Sequence, residues 1–146
     1  MSDPSAEIDA GRTPHTVGEI MMTKLITISA DASVERAVHI MNEKNISGVI
    51  VEPDNDGVWS MLTQNDVVTK VMHSNKSPAT VKVSAIANKP LRMVASDTSL
   101  HECVDIMSDN KIRRVIVEKD NAPVGIVTYS DVFRTVDKFG WMPVDL

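Results

Sequence analysis

Two four-residue motifs place a threonine hydroxyl and an aspartate carboxylate three positions apart. They run from Thr63 to Asp66 and from Thr128 to Asp131, and each follows a short apolar segment. In one interpretation each threonine is the N-cap of a helix and the aspartate accepts hydrogen bonds from backbone N–H groups that the helix leaves unpaired. In the other, both side chains face a cleft and bind a polar ligand. The residues alone leave both interpretations open.

Arg113 and Arg114 are a second candidate for ligand chemistry, because a guanidinium group matches the geometry of phosphate oxygens better than an ammonium group does. Adjacent residues on a strand point to opposite faces, so at most one arginine faces a given cleft. The alternative is a solvated pair at the end of a surface strand. Ser47 and Gly48 occupy the matching place earlier in the chain, so any phosphate contact should be asymmetric.

No catalytic or metal-binding set can be assembled from the sequence. The four histidines, at 15, 39, 73 and 101, are scattered without the spacing of zinc ligands. Cys103 is the only cysteine, which excludes disulfides within the chain and fits a reducing, cytoplasmic location. Nothing in the sequence places a general base beside a nucleophile. We therefore expect no enzyme activity, no metal and no obligatory cofactor.

The composition excludes several classes of partner. In 146 residues, 42% are hydrophobic and 24% are charged, as in soluble globular proteins. A net charge of −5 opposes binding to nucleic acid or to an anionic membrane, and 3% aromatic residues are too few for base stacking. No apolar run reaches the length of a signal peptide or a membrane span. We expect residues 1–15 to be a flexible N-terminal segment.

The chain contains an internal duplication. Thirteen residues of the first half recur 66 positions later, and after a turn that is one residue shorter the offset becomes 65. The residues of the first copy are Val17, Ile20, Leu25, Asp31, Ser33, Val38, Ile40, Met41, Ile46, Val49, Ile50, Val51 and Glu52, followed by Thr63, Asp66, Val67 and Val71. We assign repeat 1 to residues 16–73, a linker to 74–81, repeat 2 to 82–137 and a tail to 138–146.

Each repeat has the pattern of a β-α-β-β-α unit. Ser33 and Ser99 are placed to N-cap a helix. Apolar residues then recur at helical spacing, and β-branched strands flank a polar turn, which is typical of a hairpin. A unit of about 55 residues is too small to bury both faces of its sheet, so two must pack together. The helical stripes are Val34, Ala37, Val38 and Met41 in repeat 1, and Leu100, Cys103, Val104 and Met107 in repeat 2.

The order of these motifs, duplicated at a fixed offset, resembles the tandem CBS domain family, which takes its name from cystathionine β-synthase. The resemblance covers roughly residues 16–137. It implies an α/β fold in which two β-α-β-β-α repeats pack through their sheets with pseudo-twofold symmetry. The residues that carry it include Val17-Gly18-Glu19-Ile20-Met21, Ile46-Ser47-Gly48-Val49, Ile112-Arg113-Arg114-Val115 and Gly125-Ile126-Val127-Thr128.

The resemblance also implies a regulatory sensor that binds an adenosine compound such as AMP or ATP in clefts between the repeats; S-adenosylmethionine, NAD and cyclic dinucleotides stay open. Aspartate would accept both ribose hydroxyls, threonine would bind sugar or phosphate, and a basic residue near Arg113 would face phosphate. We expect the second motif to bind better, because it lies beside Gly125 whereas the first follows Trp59 and Ser60. The ligand-binding residues carried over are Thr27, Ile46, Ser47, Thr63, Asp66, Met93, Arg113, Arg114, Ile126, Thr128, Ser130 and Asp131.

Apolar residues outside the helical stripes, Ile40 and Ile106 among them, predict a homodimer with these residues near its contact. The aromatic tail with Phe139 and Trp141 would cover the edge of that contact or reach across it. The competing function is a structural dimerisation or protein-interaction module whose clefts are empty or filled by side chains such as Trp59. The sequence does not identify the regulated partner protein.

Overall fold

The structure, a computed structural model, describes residues 13–143. These residues divide into two compact units: unit A comprises Ile26–Leu91, and unit B comprises residues 13–25 together with residues 92–143. Most of the expected N-terminal segment, residues 1–12, and the end of the expected tail, residues 144–146, lie outside the described residues.

The elements confirm the mixed α/β fold and the β-α-β-β-α order of each repeat. A π-helical turn, Val68–Met72, continues the third helix, and a 3₁₀ turn spans Val83–Ala85. In chain order the helices and strands are α1 (Val17–Ile20), β1 (Thr27–Ile28), α2 (Val34–Lys44), β2 (Gly48–Val51), β3 (Ser60–Thr63), α3 (Gln64–Val67), β4 (Met93–Ala95), α4 (Leu100–Asp109), β5 (Arg114–Lys119), β6 (Ala122–Thr128) and α5 (Tyr129–Phe139).

Each unit contains one three-stranded sheet with the same topology. In unit A the order is β1-β2-β3, with β1 parallel to β2 and β3 antiparallel to it. Unit B repeats this arrangement as β4-β5-β6. The parallel pairs need a crossover, which α2 and α4 provide. Ser33 and Ser99 begin these helices as predicted, accepting hydrogen bonds from the Arg36 and Glu102 backbone N–H groups.

The leading segment of each sequence repeat belongs to the unit that holds the rest of the other repeat. In unit B, Val17 and Ile20 are buried in the core, and Met22 forms a β-bridge with Ile126. In unit A, the corresponding bridge joins Asn88 to Met61. The compact units are therefore displaced along the chain from the sequence repeats, and each core is completed by a segment that is distant in sequence.

The helical stripes form the cores, with one exception. Val34, Ala37 and Met41 are buried, but Val38 is 40% exposed. Ile40, which we expected to lie on the surface with Ile106, is instead partly buried, and each packs against the core of its own unit. In α2 the side of the helix that carries Ile40 faces the core, and the side that carries Val38 faces solvent. The apolar stripe of a helix is wide enough for either position to be buried.

Gly125 has a different role from the one expected. We predicted that it leaves space for a ligand, but the Met21 side chain occupies that space. A Cβ atom at position 125 would lie 2.7 Å from Met21 Cγ and 2.9 Å from Met21 Cβ. The matching positions in unit A are Ser60 and Ala87, a larger strand residue and a smaller residue in the leading segment.

We expect Gly125→Ala to lower the free energy of unfolding by about 1–3 kcal/mol, because its methyl group overlaps the Met21 side chain. In a Met21→Ala background the same change should cost much less, which urea denaturation of the four variants would measure. Ser60→Ala is the control, since a Cβ atom is already accommodated there. An equal cost of Gly125→Ala in both backgrounds would contradict this packing.

Candidate ligand site at the Thr–Asp motifs

Both Thr–Asp motifs form capping boxes at a strand-to-helix junction, which confirms the structural interpretation of each. Thr128 ends β6 and is the N-cap of α5. The Asp131 backbone N–H donates to Thr128 Oγ1 over 3.3 Å, while Asp131 Oδ2 accepts from the Thr128 backbone N–H at 2.8 Å and from its hydroxyl at 3.0 Å. The carboxylate is thereby held in one orientation at 6% exposure.

Asp66 repeats this geometry in unit A with additional partners. Its Oδ2 atom accepts from the Thr63 backbone N–H at 2.9 Å and from the Thr63 hydroxyl at 2.8 Å. The Asn88 side-chain amide donates to the same oxygen at 2.9 Å, and Lys70 Nζ lies 3.2 Å from Oδ1. Asp66 is 5% exposed, so this is a buried carboxylate with a nearly complete set of donors.

Burial by itself would raise the pKa of Asp66, but the hydrogen bonds from Thr63, Asn88 and Lys70 together outweigh it, and the pKa lies below its ordinary value. The ionised carboxylate therefore stabilises the folded chain. This contribution is complete above the unfolded pKa, about 4, and is lost as the pH falls through the folded value.

Each carboxylate has a basic partner one helical turn later, at a different position in the two units. Arg134, three residues after Asp131, contacts its Oδ1 atom, and Lys70, four residues after Asp66, contacts the equivalent oxygen. From the sequence, both residues are supplementary candidates for the site, with plain surface charges as the favoured interpretation. A residue three or four positions after an aspartate lies on the same face of a helix. This spacing is the sequence signal for both ion pairs.

A cavity of about 410 Å³ lies beside Asp131 within unit B. This volume is within the range of small-molecule sites, about 300–1,000 Å³. Asp131 and Arg134 line it together with Met22, and further along α5 it reaches Lys138 and Phe139. Three of these lining residues were not predicted from the sequence: Met22, Lys138 and Phe139. The β-bridge to Ile126 brings Met22 to the cavity, and Lys138 and Phe139 lie further along the helix that Asp131 begins.

The two adjacent arginines differ as strand alternation predicts. Arg114 pairs with Thr128 across β5 and β6, so the two side chains share one face of the sheet. Arg114 is half-buried, and this burial lowers the pKa of its guanidinium group. Arg113 is exposed, and its carbonyl accepts from the Tyr129 backbone N–H over 3.0 Å. Arg114 is therefore the arginine on the face of the second Thr–Asp motif.

The other predicted residues fall into two groups, one in each unit. In unit B, Ile126 is the bridge partner of Met22, Met93 pairs with Ile116 on the parallel strand, and Ser130 is exposed in the first turn of α5. In unit A, Thr27 donates to Glu52 over 3.2 Å. Ile46 packs against the core of that unit, and the Ser47 carbonyl accepts from the Gln64 backbone N–H.

Cys103 and the histidines are structural or surface groups in the described residues. Burial raises the pKa of the Cys103 thiol to about 11, so it is protonated at neutral pH. The His101 ring lies 4.2 Å from the Trp141 ring, between centroids, so the tail packs on α4. No three His, Cys, Asp or Glu side chains within residues 13–143 cluster closely enough to hold a metal ion. In the same part of the chain, no helix is long and apolar enough to cross a membrane.

The CBS domain family matches residues 17–73 and 83–138 of this chain. The match covers most of the sequence, and the chain belongs to the CBS domain family. Together with the fold, it defines a CBS-pair module, a class that is typically regulatory or ligand-binding.

Similar proteins include one that is uncharacterised and one that is named. An uncharacterised protein of Methanopyrus kandleri is 31% identical over 120 residues, which are 82% of this chain and 61% of that protein. The chain thus spans about three fifths of that relative. Hypoxic response protein 1 of Mycobacterium tuberculosis is 28% identical over 119 residues, 82% of this chain and 83% of that protein.

Two solved structures share the fold. The crystal structure of Hypoxic Response Protein I with two coordinated zinc ions has a TM-score of 0.71 and 28% identity, and the alignment covers 82% of this chain and 97% of that one. A hexameric CBS-CP12 protein from bloom-forming cyanobacteria has a TM-score of 0.69 and 31% identity, with coverage of 81% and 69%.

We expect Asp66→Asn to reduce the free energy of unfolding at neutral pH, because the neutral amide loses the charge interaction with Lys70 and one acceptor site. The difference from wild type should shrink as the pH falls below about 4, where the native carboxylate becomes protonated. Urea denaturation from pH 7 to pH 2.5 would measure it. Asp31→Asn, on a side chain that is 76% exposed, is the control. A difference that does not change with pH would contradict the role of the charge.

Proposed function

We propose that this CBS pair is a regulatory module that binds an adenosine nucleotide, most simply AMP or ATP, and carries out no reaction on it. The observation that carries the proposal is the buried Asp131 carboxylate, which lines a cavity of about 410 Å³ beside Arg134. A fixed carboxylate that lines a cavity is a good acceptor for the vicinal hydroxyls of a ribose. Thr128 and the exposed Ser130 offer hydroxyls close to the same place.

The acceptor capacity of Asp131 supports this role. A carboxylate has about four lone-pair sites. Among residues 13–143, Asp131 accepts two hydrogen bonds from Thr128 and one from Arg134, which leaves about one site for a ligand. The Arg134 side chain is 68% exposed, so its displacement by a second ribose hydroxyl would cost little packing. Both hydroxyls could then reach the carboxylate.

Arg114 is the proposed phosphate ligand. It shares a sheet face with Thr128, and a half-buried guanidinium group gains more from a phosphate than an exposed one does. Ser47 and Gly48 stand at the equivalent positions of unit A, so a phosphate would find this partner only in unit B. A nucleotide is therefore favoured over a nucleoside.

Regulation would follow from linkage. A nucleotide that binds one arrangement of the module more tightly than another shifts the equilibrium by the difference in affinity, and a partner protein or a second protomer would respond to that shift. The ligand changes the populations of these arrangements, and it is released chemically unaltered.

A structural or interaction module is the second candidate function, and the exposed apolar side chains favour it. In unit A these are Val68, 51% exposed, and Met72, 60% exposed; in unit B, Phe133 is 76% exposed. The similar CBS-CP12 protein is hexameric, which supports assembly of this chain into an oligomer. We propose a homodimer that covers these side chains, with Phe133 in place of Ile40 and Ile106 as the contact residue. The two functions are compatible if the dimer transmits ligand binding.

We expect Asp131→Ala to weaken AMP binding at least about 10-fold, because a charged acceptor contributes about 1.5–3 kcal/mol per hydrogen bond. Isothermal titration calorimetry on the folded variant would measure the change. Asp66→Ala is a matched control, because it removes an equivalent helix cap, worth about 1 kcal/mol of stability, from the other unit. Equal affinities of wild type and Asp131→Ala would refute the assignment.

We expect Phe133→Asp to shift the protein from dimer to monomer, because an unpaired charge in an apolar contact costs several kcal/mol. Light scattering at tens of micromolar protein would measure the mass. Lys119→Asp, at the exposed end of β5, is the control for a change of charge alone. A monomeric wild-type protein at this concentration would rule out the dimer.

A further inference from the structure

The two duplicated aspartates differ in how many of their acceptor sites are already used. In unit A, Asp66 accepts two hydrogen bonds from Thr63, one from Asn88 and one from Lys70. Three of these donors converge on Oδ2 and Lys70 contacts Oδ1, so both oxygens of Asp66 are engaged. Asp131 has three donors among the described residues. Among the described residues the two carboxylates therefore differ by one donor, and that donor is Asn88.

Asn88 and Lys70 close a ring of polar contacts on Asp66. The Asn88 amide donates to Asp66 Oδ2 at 2.9 Å, and Asn88 Oδ1 accepts from Lys70 Nζ at 3.1 Å. Lys70 Nζ also contacts Asp66 Oδ1 at 3.2 Å and donates to the Ile86 carbonyl at 3.0 Å. The three N–H groups of the ammonium thus have three acceptors. A ligand hydroxyl that binds Asp66 must break this ring.

Within residues 13–143, unit B has no such ring, because Met22 stands at the position of Asn88. Met22 forms the same β-bridge, with Ile126, that Asn88 forms with Met61. A thioether cannot donate a hydrogen bond, so Met22 adds no donor to the Asp131 carboxylate and instead lines the cavity beside it. The equivalent of Lys70 is Thr135, whose hydroxyl donates to the Asp131 carbonyl rather than to its carboxylate.

We propose that Asn88 is the residue that determines which unit binds a ligand: its amide donates to Asp66 Oδ2 and its side-chain oxygen holds Lys70 on Asp66 Oδ1, so a ribose hydroxyl would have to displace these contacts and only Asp131 receives the nucleotide. The nature of the ligand rests on the proposed function. The reason for asymmetry is thus a hydrogen bond donor in the leading segment of repeat 2, and not the difference between Gly125 and Ser60.

Asn88→Met tests this directly, because it gives unit A the residue that unit B carries in the same register. Asp66 would keep three donors, the same number as Asp131. Asn88→Ala is a second variant, to be used if the Asn88→Met protein does not fold. Lys89→Ala is the control, since Lys89 is adjacent but pairs with the exposed Asp56. Two quantities are measured: the Asp66 pKa by carboxyl-carbon NMR without ligand, and the number of AMP molecules bound per chain by calorimetry.

We expect both Asn88 variants to raise the Asp66 pKa and to bind one more AMP per chain than the wild type, with no change in Lys89→Ala. An unchanged pKa would show that Asn88 does not hold the carboxylate, and a raised pKa without additional AMP would show that releasing Asp66 does not open a site; either result overturns the proposal. Wild-type protein that binds no AMP would contradict the proposed function at Asp131. Even then, a gain from none to one in Asn88→Met would support the role of Asn88.

Discussion

The reciprocal hydrogen bonds between a threonine and the aspartate three residues later hold the strand-to-helix junction of each unit. They begin α5 at Tyr129 and α3 at Gln64, and they fix a carboxylate that is at least nine-tenths buried. A buried charge is stable only when it is hydrogen-bonded, so every donor around it matters. The helix cap and the candidate ligand site are therefore the same group of atoms. The structural role supplies the rigidity on which the binding role depends.

Because the sequence is duplicated, side chains at matched positions of the two units can be compared directly. The backbone register is the same in both, as the bridges of Met22 to Ile126 and of Asn88 to Met61 demonstrate. Differences in function must then arise from side chains at matched positions. The donors around the two carboxylates are such a difference, because they change the number of acceptor sites without moving the backbone. A regulatory module with two similar folds can in this way have one receptive site.

Local patterns predicted the features that depend on residues close in sequence. The N-caps at Ser33 and Ser99, the β-α-β-β-α order and the burial of Val34 and Met41 follow from capping chemistry and helical spacing. Contacts between distant residues could not be predicted in this way. The packing of Met21 on Gly125 and the hydrogen bond of Asn88 to Asp66, 22 residues away, require the exchange of leading segments, which the order of motifs does not reveal.

The central claim is that a ribose binds the carboxylate of unit B and leaves that of unit A undisturbed. Carbon-13 NMR of the aspartate carboxyl groups during an AMP titration tests it most directly, because each buried carboxylate reports on its own hydrogen bonds. The account predicts that the Asp131 resonance shifts to saturation at one AMP per chain while the Asp66 resonance stays in place. Equal shifts of both resonances, or a shift of Asp66 alone, would contradict it.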